Sequence, residues 1–131
     1  GWSLQPTLGK EGPIGALNMA LERYRAYGVD ISRLIHHSDR GVQYCCKEYV
    51  SILKAAGIRI SMTQTGDPLH NALAERMNNT LKNGWLFSTE DKSLQQVRRL
   101  TKKAIDLYNT FRPHQSLQMR TPMEEVGRLT A

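Results

Sequence analysis

Residues 36–46 read His-His-Ser-Asp-Arg-Gly-Val-Gln-Tyr-Cys-Cys, and residues 63–82 read Thr-Gln-Thr-Gly-Asp-Pro-Leu-His-Asn-Ala-Leu-Ala-Glu-Arg-Met-Asn-Asn-Thr-Leu-Lys. Two carboxylates anchor this stretch, Asp39 and Glu75, with 35 residues between them. Ile31 to Ile35 is a short apolar run that reads as a buried strand, and reactive groups in an α/β sheet gather just past the carboxyl end of such a strand. His36, His37, Ser38 and Asp39 fall there. Glu75 follows Asp67-Pro68, an N-cap and first helical residue, on a helix expected to run to about Trp85. At 100° per residue, Leu69, Leu73, Met77 and Leu81 share one face, and Glu75, Asn79 and Lys82 share the opposite one. A carboxylate past a strand and a second on a later helix suit a shared hard cation, Mg²⁺ or Mn²⁺. The net charge of +6 makes a phosphate backbone the natural partner of such a metal.

Working outward, Trp2 to Leu8 reads as a short strand with Trp2 and Leu4 on one face. Gly12 and Pro13 open a helix carrying Ile14, Leu17, Leu21 and Tyr24 at helical spacing, and Gly28 ends it. Arg40-Gly41 makes a turn in which Gly41 supplies a positive φ angle. A helix from about Cys45 to Ala56 follows, with Tyr49, Val50, Leu53 and Ala56 inward and Gly57 at its end. Ile58, Ile60 and Met62 alternate with polar residues as a strand near an edge. Ser88 to Lys92 is linker-like. Ser93 with Gln96 forms a capping box for a long helix whose inward positions are Val97, Leu100, Ala104, Leu107, Tyr108 and Phe111. Arg98, Arg99, Lys102 and Lys103 form a basic patch near its start, which reads first as a solvated face. Arg112-Pro113-His114 breaks that helix, and Thr121-Pro122-x-Glu124 caps a short terminal one. The order of elements says α/β with a short sheet, in one domain. There is no apolar run long enough to span a bilayer, and no secretory signal opens the chain. Cys45 and Cys46 are adjacent and lack metal-type spacing, so they read as free thiols in a reducing compartment, at least one buried.

Three motifs in order, His-Ser-Asp-Arg-Gly-x-Gln-Tyr at 37–44, Asn-Ala-x-x-Glu-Arg at 71–76 and Tyr-Asn-x-x-Arg-Pro-His at 108–114, resemble the integrase core of bacterial insertion-sequence transposases. The resemblance runs from about Gly1 to about Val126. It implies a ribonuclease H-like fold, a mixed sheet flanked by helices, and the last two members of an Asp, Asp, Glu triad in Asp39 and Glu75. The family's first catalytic Asp lies upstream of the Gly-Trp-Ser segment with which this sequence opens. Glu11, Glu22 and Asp30 do not sit in a matching strand, so the expectation is a partial fold lacking the first strands. In the intact domain the resemblance implies two Mg²⁺ or Mn²⁺ ions about 3.5–4 Å apart, cutting and joining transposon-end DNA by in-line displacement at phosphorus. This span alone is expected to be inactive.

The resemblance further implies a homo-oligomeric protein acting on DNA in the bacterial cytoplasm, at the nucleoid, with no membrane role. His37 and Ser38 are candidates to position Asp39 or water. Asn71, Arg76, Asn79 and Lys82 are candidates to contact DNA. Tyr108, Asn109 and Pro113 are assigned to packing, with Arg112 and His114 the exceptions to watch. Outside the motif context, Asp39 is a turn aspartate accepting backbone hydrogen bonds and Glu75 a solvated helix residue. Two other functions remain open: a ribonuclease H-like nuclease that does not join strands, and a non-enzymatic DNA-binding remnant.

Overall fold

The computed structural model describes residues 1–63, 72–85 and 91–130. The elements in order are α1 (Glu11–Ala26), β1 (Ile35–Ser38), α2 (Val42–Cys45), α3 (Lys47–Ala55), β2 (Arg59–Met62), α4 (Ala72–Asn79), a π-helical turn (Thr80–Trp85), α5 (Leu94–Phe111), a 3₁₀ turn (Gln115–Leu117) and α6 (Pro122–Leu129). The backbone divides into two compact units, 1–73 and 74–131.

In the first unit β1 and β2 run parallel, with Ile35 opposite Arg59 and Ser38 opposite Met62. A parallel pair needs a crossover, and α2 and α3 supply it. The expected strand at Ile31–Ile35 starts four residues later. Asp30 Oδ1 accepts the Ser32 N–H at 2.8 Å, and the Leu34 N–H donates to the Ile31 carbonyl at 3.0 Å, so a turn takes the backbone that the strand would use. His36, His37 and Ser38 therefore lie within the strand, and Asp39 is the first residue past it. The expected strand at Trp2–Leu8 does not form. That segment lies along α1, with bends at Pro6 and Thr7. A Cβ on Gly15 would stand 3.4 Å from Ser3 Oγ, and one on Gly12 would stand 3.4 Å from Gln5 Cγ. Among the described residues no strand runs beside it to complete a ladder. Trp2 and Leu4 are nevertheless partly buried, as their shared face requires.

Leu17 and Leu21 of α1, Tyr49 and Leu53 of α3, and Ile58 form the first unit's core. Leu53, only 1% exposed, is its centre. The single helix expected over 45–56 is two. Cys46 takes an extended conformation (ψ 145°) between α2 and α3, which turns Tyr44 and Tyr49 edge-on to one another with centroids 5.4 Å apart. Neither cysteine is fully buried: Cys45 is exposed and Cys46 partly covered, both as free thiols. Gly28 and Gly57 hold φ of +66° and +70° at the helix ends, the conformation that favours glycine there.

In the second unit α5 packs against the π-helical turn and α6. The Ser93–Gln96 and Thr121–Glu124 capping boxes both form, each with side chain and backbone bonded reciprocally. Ala104, Ile105 and Tyr108 are buried. Ile105 was not among the expected inward positions. Phe111, which was, is 73% exposed, because α5 ends there and Arg112 leaves it in an extended conformation. The expected helix up to Trp85 is confirmed over 72–85, but its last turn widens from α to π. The advance per residue slows there, so the placing of Lys82 in line with Glu75 no longer follows from 100° steps. The Asp67-Pro68 start, Leu69 and most of the 88–92 linker lie outside the described residues.

Candidate active site

Because the strands are parallel, their carboxyl ends meet at one edge of the sheet, where ligands of open α/β sheets bind. The Thr63 N–H donates to the Ser38 carbonyl at 3.0 Å and closes that edge. Asp39 is exposed there. Its Oδ1 accepts the N–H of Gly41 at 2.9 Å, an Asx-type turn. Arg40 Nε donates to the Thr63 carbonyl at 2.8 Å, tying the turn to the end of β2.

Gly41 is not there for a positive φ, as the sequence suggests; its φ is −53°. Its small size is what counts. A Cβ at Gly41 would stand 3.0 Å from Asp39 Oδ1, 3.2 Å from Gln43 Oε1 and 3.3 Å from Tyr44 Cδ2. The glycine lets the backbone amide and the carboxylate approach closely. The Asp-x-Gly spacing announces the turn but does not distinguish these two roles of the glycine.

Side chains alternate across β1. His37 is exposed and its Nδ1 lies 2.9 Å from Ser61 Oγ on the neighbouring strand. Ser38 is buried, and its hydroxyl has no hydrogen-bond partner among the described residues. On the covered side His36 Nε2 and Tyr49 Oη are 2.9 Å apart, and the His36 ring meets Tyr49 edge-on at 5.4 Å. Burial above all, with the neighbouring His37 adding to it, holds the His36 imidazole below its ordinary value. Burial pushes the Tyr49 phenol up to about 12 and, with the Asp39 charge as second cause, raises Tyr44.

Glu75 lies in the first turn of α4 and is exposed, as are Arg76, Asn79 and Lys82. Asn79 Oδ1 accepts a hydrogen bond from Asn83 Nδ2. Asn71 lies outside the described residues. Among the described residues no three His, Cys, Asp or Glu side chains come together to hold a metal. The donor chemistry of the two carboxylates nonetheless suits a hard divalent cation. Neither is in an ion pair among the described residues, whereas Glu48, Asp106 and Glu125 each meet a Lys or Arg within 2.8 Å. Asp39 has one oxygen fixed by Gly41 and its second free of hydrogen bonds among the described residues.

The model of the integrase core domain matches residues 56–122, just over half of the chain. The chain belongs to the integrase core family. Curated relatives of this integrase core include the transposase of insertion sequence element IS629 from Shigella sonnei, 32% identical over 95% of the chain and 40% of that protein. The putative transposase of IS986/IS6110 from Mycobacterium tuberculosis is 30% identical over 95% of the chain and 45% of its own length. The chain thus spans less than half the length of these relatives. The crystal structure of the catalytic core domain of BIV integrase superposes with a TM-score of 0.67, covering 95% of this chain and 74% of that one at 19% identity. This likeness shows the fold, ribonuclease H-like as the motifs imply. Among the described residues no helix of the integrase core is long and apolar enough to cross a membrane.

Proposed function

We propose that this integrase core is the catalytic part of an insertion-sequence transposase that cuts DNA at the element's ends and joins it to a target. The observation that carries the proposal is Asp39, an exposed carboxylate at the carboxyl end of a parallel β–α–β unit, held at one oxygen by Gly41. Membership of the integrase core family and the transposase relatives support it. Asp39 and Glu75 are the ligands for Mg²⁺ or Mn²⁺. When bound, the cation supplies Lewis-acid stabilisation of the charge that develops in phosphoryl transfer, with water as nucleophile in cutting and a 3′-hydroxyl in joining. Gly41 keeps Oδ1 of Asp39 engaged, so Oδ2 is the oxygen offered to a ligand. His37, hydrogen-bonded across the strands, lines the same side of the sheet and orders water beside Asp39. Ser38 supports the strand end from the covered side. Arg76, Asn79 and Lys82, with Asn71, contact DNA phosphates. The partners are DNA and further copies of the protein, and the compartment is the cytoplasm.

The test is a Mn²⁺-dependent nicking and strand-transfer assay on labelled end duplexes, run in a protein extended to the length of its relatives. Asp39→Asn and Glu75→Gln are each expected to lower both products by more than about a hundredfold, in line with the loss of a group acting on the transition state. Full activity in either variant, with folding retained, would sink the proposal. Nicking without any joined product would favour a plain nuclease.

A further inference from the structure

The four cations of α5 sit on one side of the helix. Taking Arg98 as the origin, 100° steps put Lys102 at about 40°, Arg99 at about 100° and Lys103 at about 140°. The buried residues Ala104, Ile105 and Tyr108 occupy the other side. Arg98, Arg99, Lys102 and Lys103 are all exposed. They are spread over about 7.5 Å of helix axis at the α-helical rise. Only one acid shares their arc, Asp106, which bridges Lys102 at 2.6 Å and ends the patch toward the carboxyl terminus.

Helix stability does not account for this pattern. None of the four lies in the last turn, where the helix dipole favours a cation, and the first turn carries no acid. Arg98 with Lys102, and Arg99 with Lys103, are like charges four residues apart, which repel. A helix selected for stability alone would carry glutamates here. The capping box of Ser93 and Gln96 holds the start of the helix in place despite the repulsion.

We infer that the exposed face of α5 formed by Arg98, Arg99, Lys102 and Lys103 is a docking surface for the phosphate backbone of duplex DNA, independent of metal and of base sequence. The choice of DNA over another polyanion rests on the functional reading above. Charge complementarity carries the inference: a short row of cations along one helix face meets a chain of regularly spaced phosphates, and contacts of that kind position a duplex without reading its sequence. Counterion release then supplies the affinity.

The experiment measures binding of the 131-residue chain to a fluorescent duplex by anisotropy in EDTA over a range of salt concentrations. One variant carries Arg98→Ala, Arg99→Ala, Lys102→Ala and Lys103→Ala. A control with the same change in net charge carries Arg23→Ala, Arg25→Ala, Lys47→Ala and Lys54→Ala, all exposed positions of the first unit. Alanine suits a helix and relieves the repulsion, so the α5 variant is expected to melt no lower than the parent. The expected result is a roughly tenfold or greater loss of affinity in the α5 variant. The slope of log K against log salt should shrink by about 3, close to the value for three or four lost phosphate contacts. The loss should be the same for related and unrelated sequences and smaller in the control. An unchanged slope, an equal loss in the control, or no binding by the parent overturns the inference. Because EDTA removes the metal chemistry, failure here leaves the roles of Asp39 and Glu75 standing, and their failure leaves this result standing.

Discussion

A hydrogen bond of 2.9 Å from a glycine amide fixes how Asp39 meets its surroundings. Replacing Gly41 with Ala leaves the backbone unstrained, since φ is −53°, but forces Asp39 Oδ1 or its neighbours to give way. Gly41→Ala is therefore expected to change stability by less than about 0.5 kcal/mol, the range of ordinary surface substitutions. Strand-transfer rate should fall by roughly tenfold or more, because small displacements of a positioned group are costly. Denaturant melts beside the kinetic assay would check both halves of that expectation. His36 gives a second test at this scale. Its folded-state value is lowered by burial from the ordinary 6.5, so the unfolded chain takes up a proton first as the pH falls. Its contribution to stability is full above about pH 6.5 and is lost as the pH drops toward the folded-state value. Urea midpoints between pH 5 and pH 8, compared with those of His36→Phe, should show a shallower acid slope in the variant. Asp39 could be singled out in the sequence because it sits in a run of chemistry-bearing residues with a partner carboxylate 35 residues on. The reason for Gly41 could not, since an Asp-x-Gly turn reads alike whether the glycine is needed for its φ or for its missing Cβ.

Among the elements, the helix starts written in capping chemistry are the ones the sequence reads best. Ser93 and Thr121 each accept the amide three residues on, at 3.3 Å, and each donates its own backbone N–H to the side-chain oxygen of Gln96 or Glu124. Thr121→Ala and Ser93→Ala are each expected to cost about 1 kcal/mol, read from denaturant midpoints, with Ser93→Asp close to neutral. Strands were read less well. Both are four residues long. At that length a local hydrogen bond, such as the one Asp30 makes with Ser32, moves a boundary by a whole strand's length. The segment at Trp2–Leu8 has the alternation of a strand but lies along α1, because alternation reports one covered side and not what covers it. The break at Cys46 between α2 and α3 has no Pro or Gly to announce it. Phe111 matched the inward period, and only the end of α5 shows why it stays in solvent.

For the molecule as a whole, three motifs in order carried the fold further than composition or periodicity, and the superposition on a retroviral integrase core bears that out. Division into two units was not legible, because the boundary near Leu73 falls within a continuous helical pattern and composition does not change across it. The excess positive charge was legible as a sign of a polyanionic partner, and so was the basic patch at the start of α5; that the patch lies opposite Ala104, Ile105 and Tyr108 needed the buried side of the helix to be in view. The π-helical turn at Thr80–Trp85 adds a point about length. Bonds from residue i to i+5 enclose one residue more than those of an α-turn. A chain one residue shorter in this stretch can close the gap by reverting to ordinary winding, with the helix unbroken. The same deletion in the middle of α5 would rotate Ala104, Ile105 and Tyr108 away from the core they fill. Removal of one residue within 80–85 is therefore expected to lower the denaturant midpoint less than removal of one from the middle of α5.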